Sequence, residues 1–240
     1  EHLIALEKKY APERIIIEYN GMWTFKECKL PFHWKIEQQI TTIDASTFTM
    51  YYTNMKSLLA EMLRNSDMII FNRCDGIRDL SSYKRNVKAI NQKAEIIFED
   101  ANGEVNAIME DELPYDLKQD VIELDDKGYG IWYLDMLDNA YRYENKKLVF
   151  TAMVLKPESF PENFFVPGRM AMTCCAEDMA FLGFACEYDK AASLKEKQWV
   201  KVTATASWEY WADYEGEGPV LHAVSVEPAK APKKEVIDFT

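Results

Sequence analysis

Apolar runs alternate with amphipathic segments through the first hundred residues. Four runs have the length and β-branched composition of buried strands: 14–18, 39–44, the run that ends at Asn72, and 95–98. Apolar side chains at helical spacing predict two helices between them, one capped by Ser46 or Thr47 and running to about Arg64, the other near 79–92. Strands that alternate with helices predict a mostly parallel sheet, so this part is predicted to be α/β.

A different pattern begins at residue 146. Five short apolar runs, separated by turn residues, read as strands: 148–154, 169–174, 182–186, 199–205 and 219–226. Short strands at this spacing are typical of a small closed sheet. We therefore predict an all-β, OB-like small barrel over residues 146–240.

Residues 99–145 lack a sustained period. Acidic clusters alternate there with short aromatic motifs such as Gly128-Tyr129-Gly130 and Trp132-Tyr133. We interpret this segment as an acidic connector with short helical pieces whose aromatics pack on a domain. The predicted division is residues 1–98, 99–145 and 146–240.

Charge and hydropathy exclude several classes of protein. The apolar fraction of 48% excludes wholesale disorder, and no apolar run approaches the roughly 18 residues that span a bilayer. We therefore expect a soluble chain that is not membrane-embedded. The net charge of −12, concentrated in residues 99–145, repels phosphate backbones, so we expect no nucleic-acid partner.

The cysteines and the first residues bear on location and completeness. Five cysteines form an odd set without the spacing of a disulfide framework, which favours a reducing cytoplasm. The sequence begins inside an amphipathic segment without an initiator Met. We interpret it as part of a longer protein.

Two of the predicted strands end in polar groups. The first is followed by Glu18-Tyr19-Asn20-Gly21, and the third by Asn72-Arg73-Cys74-Asp75. Parallel strands deliver such groups to the carboxyl edge of a sheet, where α/β proteins bind ligands. Asn and Asp at strand ends also form ordinary turns, so both interpretations remain open.

The residues after the third strand resemble a base-reading motif. Asn72-Arg73-x-Asp75 is close to the Asn-Lys-x-Asp of guanine-nucleotide proteins. A guanine pocket needs a carboxylate to accept from N1 and N2, which suits Asp75, and an amide at the N7 and O6 edge, which suits Asn72. Arg73 would stack its stem along the ring.

The order of these features resembles the CobW/HypB/UreG GTPases over residues 1–98. The matching positions are Glu18 to Gly21, Asp44-Ala45, Asn72 to Asp75, and Asn91 to Ala94. The resemblance implies GTP and Mg²⁺ as cofactors of a full-length parent. It would place Glu18 near Mg²⁺ and the γ-phosphate, with Gly21 at the nucleotide and Asn91 and Ala94 near the guanine.

One motif of these enzymes is missing from the 240 residues. No Gly-x-x-x-x-Gly-Lys-Ser/Thr occurs, and that loop supplies most phosphate contacts. We therefore expect that a full-length parent is a GTPase, whereas this chain neither binds GTP tightly nor hydrolyses it.

The second half carries a distinctive cysteine pair. Arg169-x-x-x-Thr173-Cys174-Cys175-x-x-Asp178 resembles a stretch in the C-terminal domain of YcgQ-type proteins, and the resemblance covers about 146–232. Candidate ligands for Zn²⁺ are Cys174, Cys175, Asp178, Cys186 and His222. Alternatively, the cysteines are small core residues, and Arg169 and Asp178 form a structural ion pair.

These patterns lead to one favoured function and two alternatives. The favoured function is the distal part of a CobW-like GTPase fused to a YcgQ-type domain, in metal-ion handling or metal-centre delivery. Its partners would be a guanine nucleotide and a metal ion or metalloprotein client, with a homodimer through an exposed sheet edge. The first alternative is a protein- or peptide-binding module in which the GTPase half regulates docking. An oligonucleotide-binding barrel is the second, and the acidic charge disfavours it.

Overall fold

The structure is a computed structural model that describes residues 2–23, 28–77, 79–105, 113–172, 179–237 and 239. Contacts within it divide the chain into two compact units, residues 1–109 and 110–240. Each unit has its own sheet and core, and each is described by itself.

The described residues of the first unit form a small α/β domain. Its strands, in order across the sheet, are β1 (Ile40–Asp44), β2 (Met68–Asn72), β3 (Glu95–Asp100) and β4 (Gly103–Glu104). Its helices are α1 (His2–Tyr10), α2 (Ala45–Asn54), α3 (Lys56–Arg64) and α4 (Leu80–Lys88). The first three strands run parallel, and β4 forms a hairpin with β3. The predicted parallel α/β sheet is therefore confirmed.

Aromatic side chains form the centre of this core. Phe71 of β2 is fully buried, contacts Phe48 of α2 edge-on and stacks on Phe98 of β3, with ring centroids 5.0 Å apart in both pairs. Leu63 of α3 and Val87 of α4 are also fully buried in the same cluster. The helices thus cover the sheet with the apolar faces that their spacing predicted.

Two local predictions for this unit were wrong. Residues 14–18 form no strand, and Ile16 is 90% exposed. In the described chain β1 is an edge strand that pairs only with β2, so this run has no neighbour to supply its hydrogen bonds. The cap of α2 is Asp44 rather than Ser46 or Thr47, and the predicted single helix is interrupted at Met55.

The second unit contains eight strands and one α-helix among its described residues. The strands are β5 (Val121–Leu124), β6 (Lys147–Leu155), β7 (Phe164–Met172), β8 (Met179–Gly183), β9 (Ala185–Glu187), β10 (Trp199–Trp211), β11 (Gly216–Pro228) and β12 (Val236–Ile237). The helix, α5, spans Gly128–Asn139. Short 3₁₀ turns follow α5, β9 and β10.

Five of these strands close into a barrel. β6 pairs with β7, β7 with β9, β11 with β10, and β10 with β6, all antiparallel. A short parallel pairing of β9 with β11 completes the ring. The remaining strands extend the sheet outside this ring, with β5 beside β6 and both β8 and β12 beside β7. The prediction of a small β-barrel is confirmed.

The alternation of buried and more exposed residues along the strands shows where the barrel core lies. Leu148, Phe150 and Val154 of β6 are buried while their neighbours are more exposed, as the period of two requires. Trp132 of α5 is fully buried, with its ring 5.2 Å from that of Phe150. Residues 113–145, which we expected to be part of a connector, therefore supply β5 and α5 to the second unit.

A close approach between β7 and β8 requires glycine. A Cβ on Gly168 would lie 2.4 Å from the ring of Phe181, and one on Gly183 would lie 2.7 Å from the carbonyl oxygen of Pro167. Tyr129 of α5 donates to that carbonyl and to the carbonyl of Leu182, at 3.3 and 3.0 Å. The two glycines therefore let the strands approach closely where Tyr129 contacts them.

A buried arginine connects several parts of this unit. Arg169 is 1% exposed, and its Nη1 donates to Asp126 at 3.0 Å while Nη2 donates to the carbonyl oxygen of Lys234. Its guanidinium lies 5.8 Å from the ring centroid of Tyr129. The predicted partner, Asp178, lies outside the described residues, so that pairing stays a prediction.

Candidate functional site

Polar groups end all three parallel strands of the first unit at one edge. Asp44 ends β1 and lies opposite Asn72, which ends β2, and Asp100 ends β3. The carboxyl edge of a parallel sheet is where α/β proteins bind ligands. This edge is the candidate site.

The turn after β2 is shaped by two residues in left-handed conformations, Arg73 (φ 56°) and Gly76 (φ 72°). Between them, the backbone N–H of Cys74 donates to the carbonyl oxygen of Glu99 at 3.0 Å, which joins this turn to β3. The turn therefore presents Asp75 at the sheet edge.

Asp75 has the geometry of a positioned acceptor. Its side chain is exposed, and its Oδ1 accepts from the backbone N–H of Ala101 at 3.2 Å. No residue in the described part of the chain forms a hydrogen bond with Oδ2. One oxygen thus orients the carboxylate, and the other can accept from a ligand.

Asn72 contributes an unsatisfied polar atom to the same edge. Its Oδ1 is buried and has no hydrogen-bond partner among the described residues. A buried acceptor without a partner costs roughly 1–3 kcal/mol, so such atoms call for an explanation. Asn72 lies three residues before Asp75, so a hydrogen-bond donor on a ligand at this edge is one explanation.

Arg73 forms an ion pair with the neighbouring strand. Its Nη1 lies 2.5 Å from Oδ2 of Asp44. The other oxygen of Asp44 accepts from the backbone N–H of Ser46 at 3.0 Å and from its hydroxyl at 2.6 Å, capping α2. The hydrogen bonds from Ser46 and Arg73 lower the pKa of Asp44. Arg73 therefore points towards β1, and a stacking role on a base would require it to leave this pair.

The predicted guanine contacts Asn91 and Ala94 lie at the opposite edge of the sheet. Asn91 Nδ2 donates to the carbonyl oxygens of Leu63 and Ser66 at 2.8 and 2.9 Å. Its Oδ1 accepts from the backbone N–H groups of Lys93 and Ala94. The first two contacts join the segments that precede β2 and β3, and the last two are local to the turn before β3. The structure therefore does not bring Asn91 and Ala94 together with Asp75.

Gly21 lines a cleft beside β1 whose lining also includes Asp44 of the candidate edge. The cleft has a volume of about 1420 Å³ and is mostly apolar; neither Asn72 nor Asp75 lines it. A Cβ on Gly21 would lie 3.5 Å from the sulfur of Met62 in α3. Glu18 is exposed in the extended segment before Gly21. Gly21 and Asp44 thus line one cleft, whereas Asn72 and Asp75 lie outside its lining.

In the barrel, two of the predicted zinc ligands lie on different faces. Cys186 of β9 is opposite Leu221 of β11, and both are fully buried. The next pair along the strands, Glu187 and His222, is partly exposed. Since successive residues of a strand point to opposite faces, Cys186 and His222 cannot bind one ion in this arrangement.

His222 of β11 is instead surrounded by three partners from two neighbouring strands. Its Nδ1 lies 3.1 Å from Glu187 of β9, and its Nε2 lies 2.9 Å from Glu209 and 2.7 Å from the hydroxyl of Ser207 in β10. Cys174, Cys175 and Asp178 lie outside the described residues. Within the described ranges no group of three or more His, Cys, Asp or Glu side chains is arranged to hold a metal ion.

Sequence reasoning missed one partner in the candidate site, the backbone of Ala101. The signal available was the polar stretch Glu99-Asp100-Ala101-Asn102, which directly follows an apolar run as Asn72 does. The hydrogen-bonding role of a backbone N–H cannot be read from the identity of its residue. Its role became visible only once β2 and β3 were placed side by side.

The two units define a class of protein, an α/β domain with a parallel sheet followed by a β-barrel domain. Residues 1–98 match the nucleotide-binding domain of CobW/HypB/UreG proteins, and residues 100–237 match the DUF1980 C-terminal domain. The chain belongs to the DUF1980 C-terminal domain family and is a CobW-like, GTPase-related protein, the fusion that the sequence predicted. A search of curated proteins found no significant match. None of the helices in the described residues is long and apolar enough to cross a membrane.

Proposed function

We propose that the carboxyl edge of the first unit binds a guanine base through Asp75 and Asn72. The observation that carries this proposal is the carboxylate of Asp75, held by Ala101 at 3.2 Å with its second oxygen unused by described residues. That oxygen would accept from N1 and N2 of guanine, while the amide of Asn72 would meet the N7 and O6 edge. The match to a nucleotide-binding domain over residues 1–98 supports the proposal.

The residues present fit a base better than they fit phosphates and Mg²⁺. CobW/HypB/UreG proteins generally bind GTP with Mg²⁺. The chain has no Gly-x-x-x-x-Gly-Lys-Ser/Thr loop, and its described residues contain no group of three metal ligands. We therefore derive no step through Mg²⁺. GTP turnover by a longer parent, with Glu18 near the metal and Gly21 at the nucleotide, stays a prediction.

Competition binding tests this proposal directly. A fluorescent GDP analogue would be displaced from the full chain by GMP, GDP, AMP and ADP in separate titrations. We expect guanine nucleotides to compete better than adenine nucleotides, with little gain from GMP to GDP and no dependence on Mg²⁺. Equal competition by adenine nucleotides would overturn the assignment to the base. A steep gain in affinity with each added phosphate would show that phosphate contacts, and not base contacts, dominate binding.

Metal-ion handling is the finer function that the resemblance to CobW-type proteins favours. Because the faces of Cys186 and His222 diverge, we restrict the proposed ligands to Cys174, Cys175 and Asp178. Elemental analysis of the purified chain beside a Cys174→Ser/Cys175→Ser variant tests it, with Cys28→Ser as the matched control. Near-stoichiometric metal lost only in the double variant would support a site. Absence of metal in the wild type after reductive loading would count against it.

A second proposed function is a protein-binding module built on the barrel. Numbered along the chain, the five barrel strands pair in the order 1-2-3-5-4-1, which supports the OB type. OB barrels bind ligands at the strand 2–3 face and the loops between strands 1–2 and 4–5. The hairpin formed by β10 and β11 corresponds to strands 4 and 5 and exposes aromatic side chains. Capture of a protein partner that survives the Cys174→Ser/Cys175→Ser change would favour this function.

A homodimer through β1 and a cytoplasmic location are further proposals. The outer edge of β1 has no paired strand in the described chain, and exposed edges can pair between molecules. Light scattering at high concentration tests the dimer, and a strict monomer would argue against it.

A further inference from the structure

The hairpin of β10 and β11 extends beyond the barrel. β6 pairs with β10 only as far as Ala204, and β9 pairs with β11 only over residues 220–222. The hairpin continues to its tip without a third strand in the part of the chain that the structure describes. We call residues 205–219 the ribbon. An isolated two-stranded hairpin is only marginally stable in water, so the ribbon depends on the contacts that its faces make with the rest of the unit.

Aromatic contacts hold one face of the ribbon against the barrel. The ring of Trp211 lies 5.0 Å from that of Phe160 and 4.6 Å from that of Phe164, between centroids. At the tip, the hydroxyl of Tyr214 accepts from the backbone N–H of Ala185 at 2.9 Å. These contacts fix the position of the ribbon relative to β7 and β9.

The opposite face exposes two large aromatic side chains. Trp208 is 48% exposed and Tyr210 is 69% exposed. Being two residues apart on a strand, they point to the same side. Glu217 lies directly opposite Tyr210 in β11 and is also exposed, so a carboxylate stands beside the aromatic pair. Trp and Tyr dominate the energetics of protein interfaces, and here both are already positioned.

Charge determines which kind of partner suits this surface. Residues 202–229 contain no Lys or Arg. The ribbon itself carries four carboxylates: Glu209, Asp213, Glu215 and Glu217. Such a surface repels nucleic acids and anionic lipids and attracts cations, and a Lys or Arg over an aromatic face gains a further cation–π attraction. Charge complementarity therefore selects a basic partner.

The free edge of β10 supplies backbone groups for such a partner. Beyond Ala204 no described strand pairs with this edge, so its N–H and C=O groups can accept an added strand. We propose that the ribbon binds an extended, Lys- or Arg-bearing segment of a partner protein. The segment adds to the edge of β10 and places alternate basic side chains over Trp208 and Tyr210, beside Glu217. This inference rests on the second proposed function and is independent of guanine binding.

A labelled peptide in which Lys alternates with Val tests the inference, with fluorescence anisotropy on the full chain. We expect binding that weakens with added salt, and a loss of at least about tenfold in the Trp208→Ala/Tyr210→Ala variant. Tyr141→Ala is the matched control, because Tyr141 is 67% exposed on the 3₁₀ turn after α5. It should leave the affinity unchanged.

Two further measurements keep the inference falsifiable. Glu217→Lys should also weaken binding of the peptide. If the double variant loses its far-UV circular dichroism and is therefore unfolded, the result for Glu217→Lys alone tests the inference. The same peptide with Glu in place of Lys should not bind. Equal affinity for both peptides, or unchanged affinity in the ribbon variants, would overturn the inference. GDP competition on the same variants separates this failure from failure of the guanine site.

Discussion

The carboxylate of Asp75 accepts a hydrogen bond from the backbone N–H of Ala101 at 3.2 Å, joining the turn after β2 to the turn after β3. The two residues are far apart in sequence, and the parallel pairing of β2 with β3 brings them to one edge. This contact orients a side chain that is otherwise exposed. The contact supports our proposal that Asp75 recognises a ligand.

Exchange of this carboxylate for an amide should change base preference. Asp75→Asn replaces an acceptor of the guanine N1 and N2 protons by a group that can also donate, which suits the O2 of xanthine. We expect the variant's affinity for guanosine nucleotides to fall by about tenfold or more and its affinity for xanthosine nucleotides to rise, since a hydrogen bond to a charged group is worth roughly 1.5–3 kcal/mol. Competition with GDP and XDP measures both. Unchanged preference would exclude Asp75 from the base site.

Asn91 should prove structural rather than ligand-binding. Asn91→Ala removes four hydrogen bonds, of which two join the segments before β2 and β3 and two lie within the turn before β3. We expect the free energy of unfolding of the first unit to fall by about 2–4 kcal/mol, at roughly 1 kcal/mol for each bond. Urea denaturation measures this. Asn102→Ala, in an exposed turn, is the control; equal stability of the two variants would contradict the structural role.

Arg169 should be essential to the stability of the barrel unit. Arg169→Met removes the buried partner of Asp126 and leaves the carbonyl of Lys234 without its donor. Because Asp126 is 37% exposed, the main cost is the lost hydrogen bond to the carbonyl of Lys234, and we expect a loss of about 1–3 kcal/mol. Thermal and denaturant unfolding of the full chain measure the loss. The same change at Arg14, whose pair with Glu37 is exposed, should have no measurable effect, and a similar loss there would argue against a special role for Arg169.

The Asp44 cap should make the first unit sensitive to acid. Hydrogen bonds from Ser46 and Arg73 lower its pKa below the ordinary 3.8. A lowered folded-state pKa means that the stabilisation is present above 3.8 and is lost as the pH falls through the lowered value. Asp44→Asn keeps a capping side chain that does not titrate. The free energy of unfolding should therefore fall more steeply with decreasing pH in the wild type than in Asp44→Asn. The same pH dependence in both proteins would refute this.

Cys186 should resist modification in the folded chain. Burial raises the pKa of its thiol well above the ordinary value, and the thiolate is the form that reacts and binds metal. We expect iodoacetamide at mildly alkaline pH to label the partly exposed Cys28 first and Cys186 only in denaturant. Peptide mass spectrometry distinguishes the two. Rapid labelling of Cys186 in the native chain would reopen its assignment as a ligand.

Local periodicity was a sound guide wherever an element is specified by its own side chains. The runs before Asn72 and Ala45 became β2 and β1, and the amphipathic stretch from 80 became α4. Apolar residues of these elements face the core, as Phe71 of β2 and Val87 of α4 do. The spacing of side chains along one segment is a property of the segment itself.

The same reasoning failed where pairing between distant segments decides the outcome. The run at 14–18 has strand composition but no strand beside it among the described residues, so its side chains stay exposed. Conversely, Trp132 lies in an acidic stretch without a clear period and is nevertheless fully buried. Its burial depends on Phe150 of β6, which an inspection of the local pattern does not reveal.

The candidate site shows the same division between features that are local in the sequence and features that depend on strand pairing. The sequence by itself determined that Asn72 and Asp75 follow a buried strand, because strand composition and a polar ending are local features. Only the tertiary structure decided that Ala101 orients Asp75, that Asn91 lies at the other edge, and that Cys186 and His222 face apart. Those relationships depend on which strands pair and in what register. Pairing is set by contacts between segments far apart in the chain, and so it is not written in the spacing of residues along any one segment.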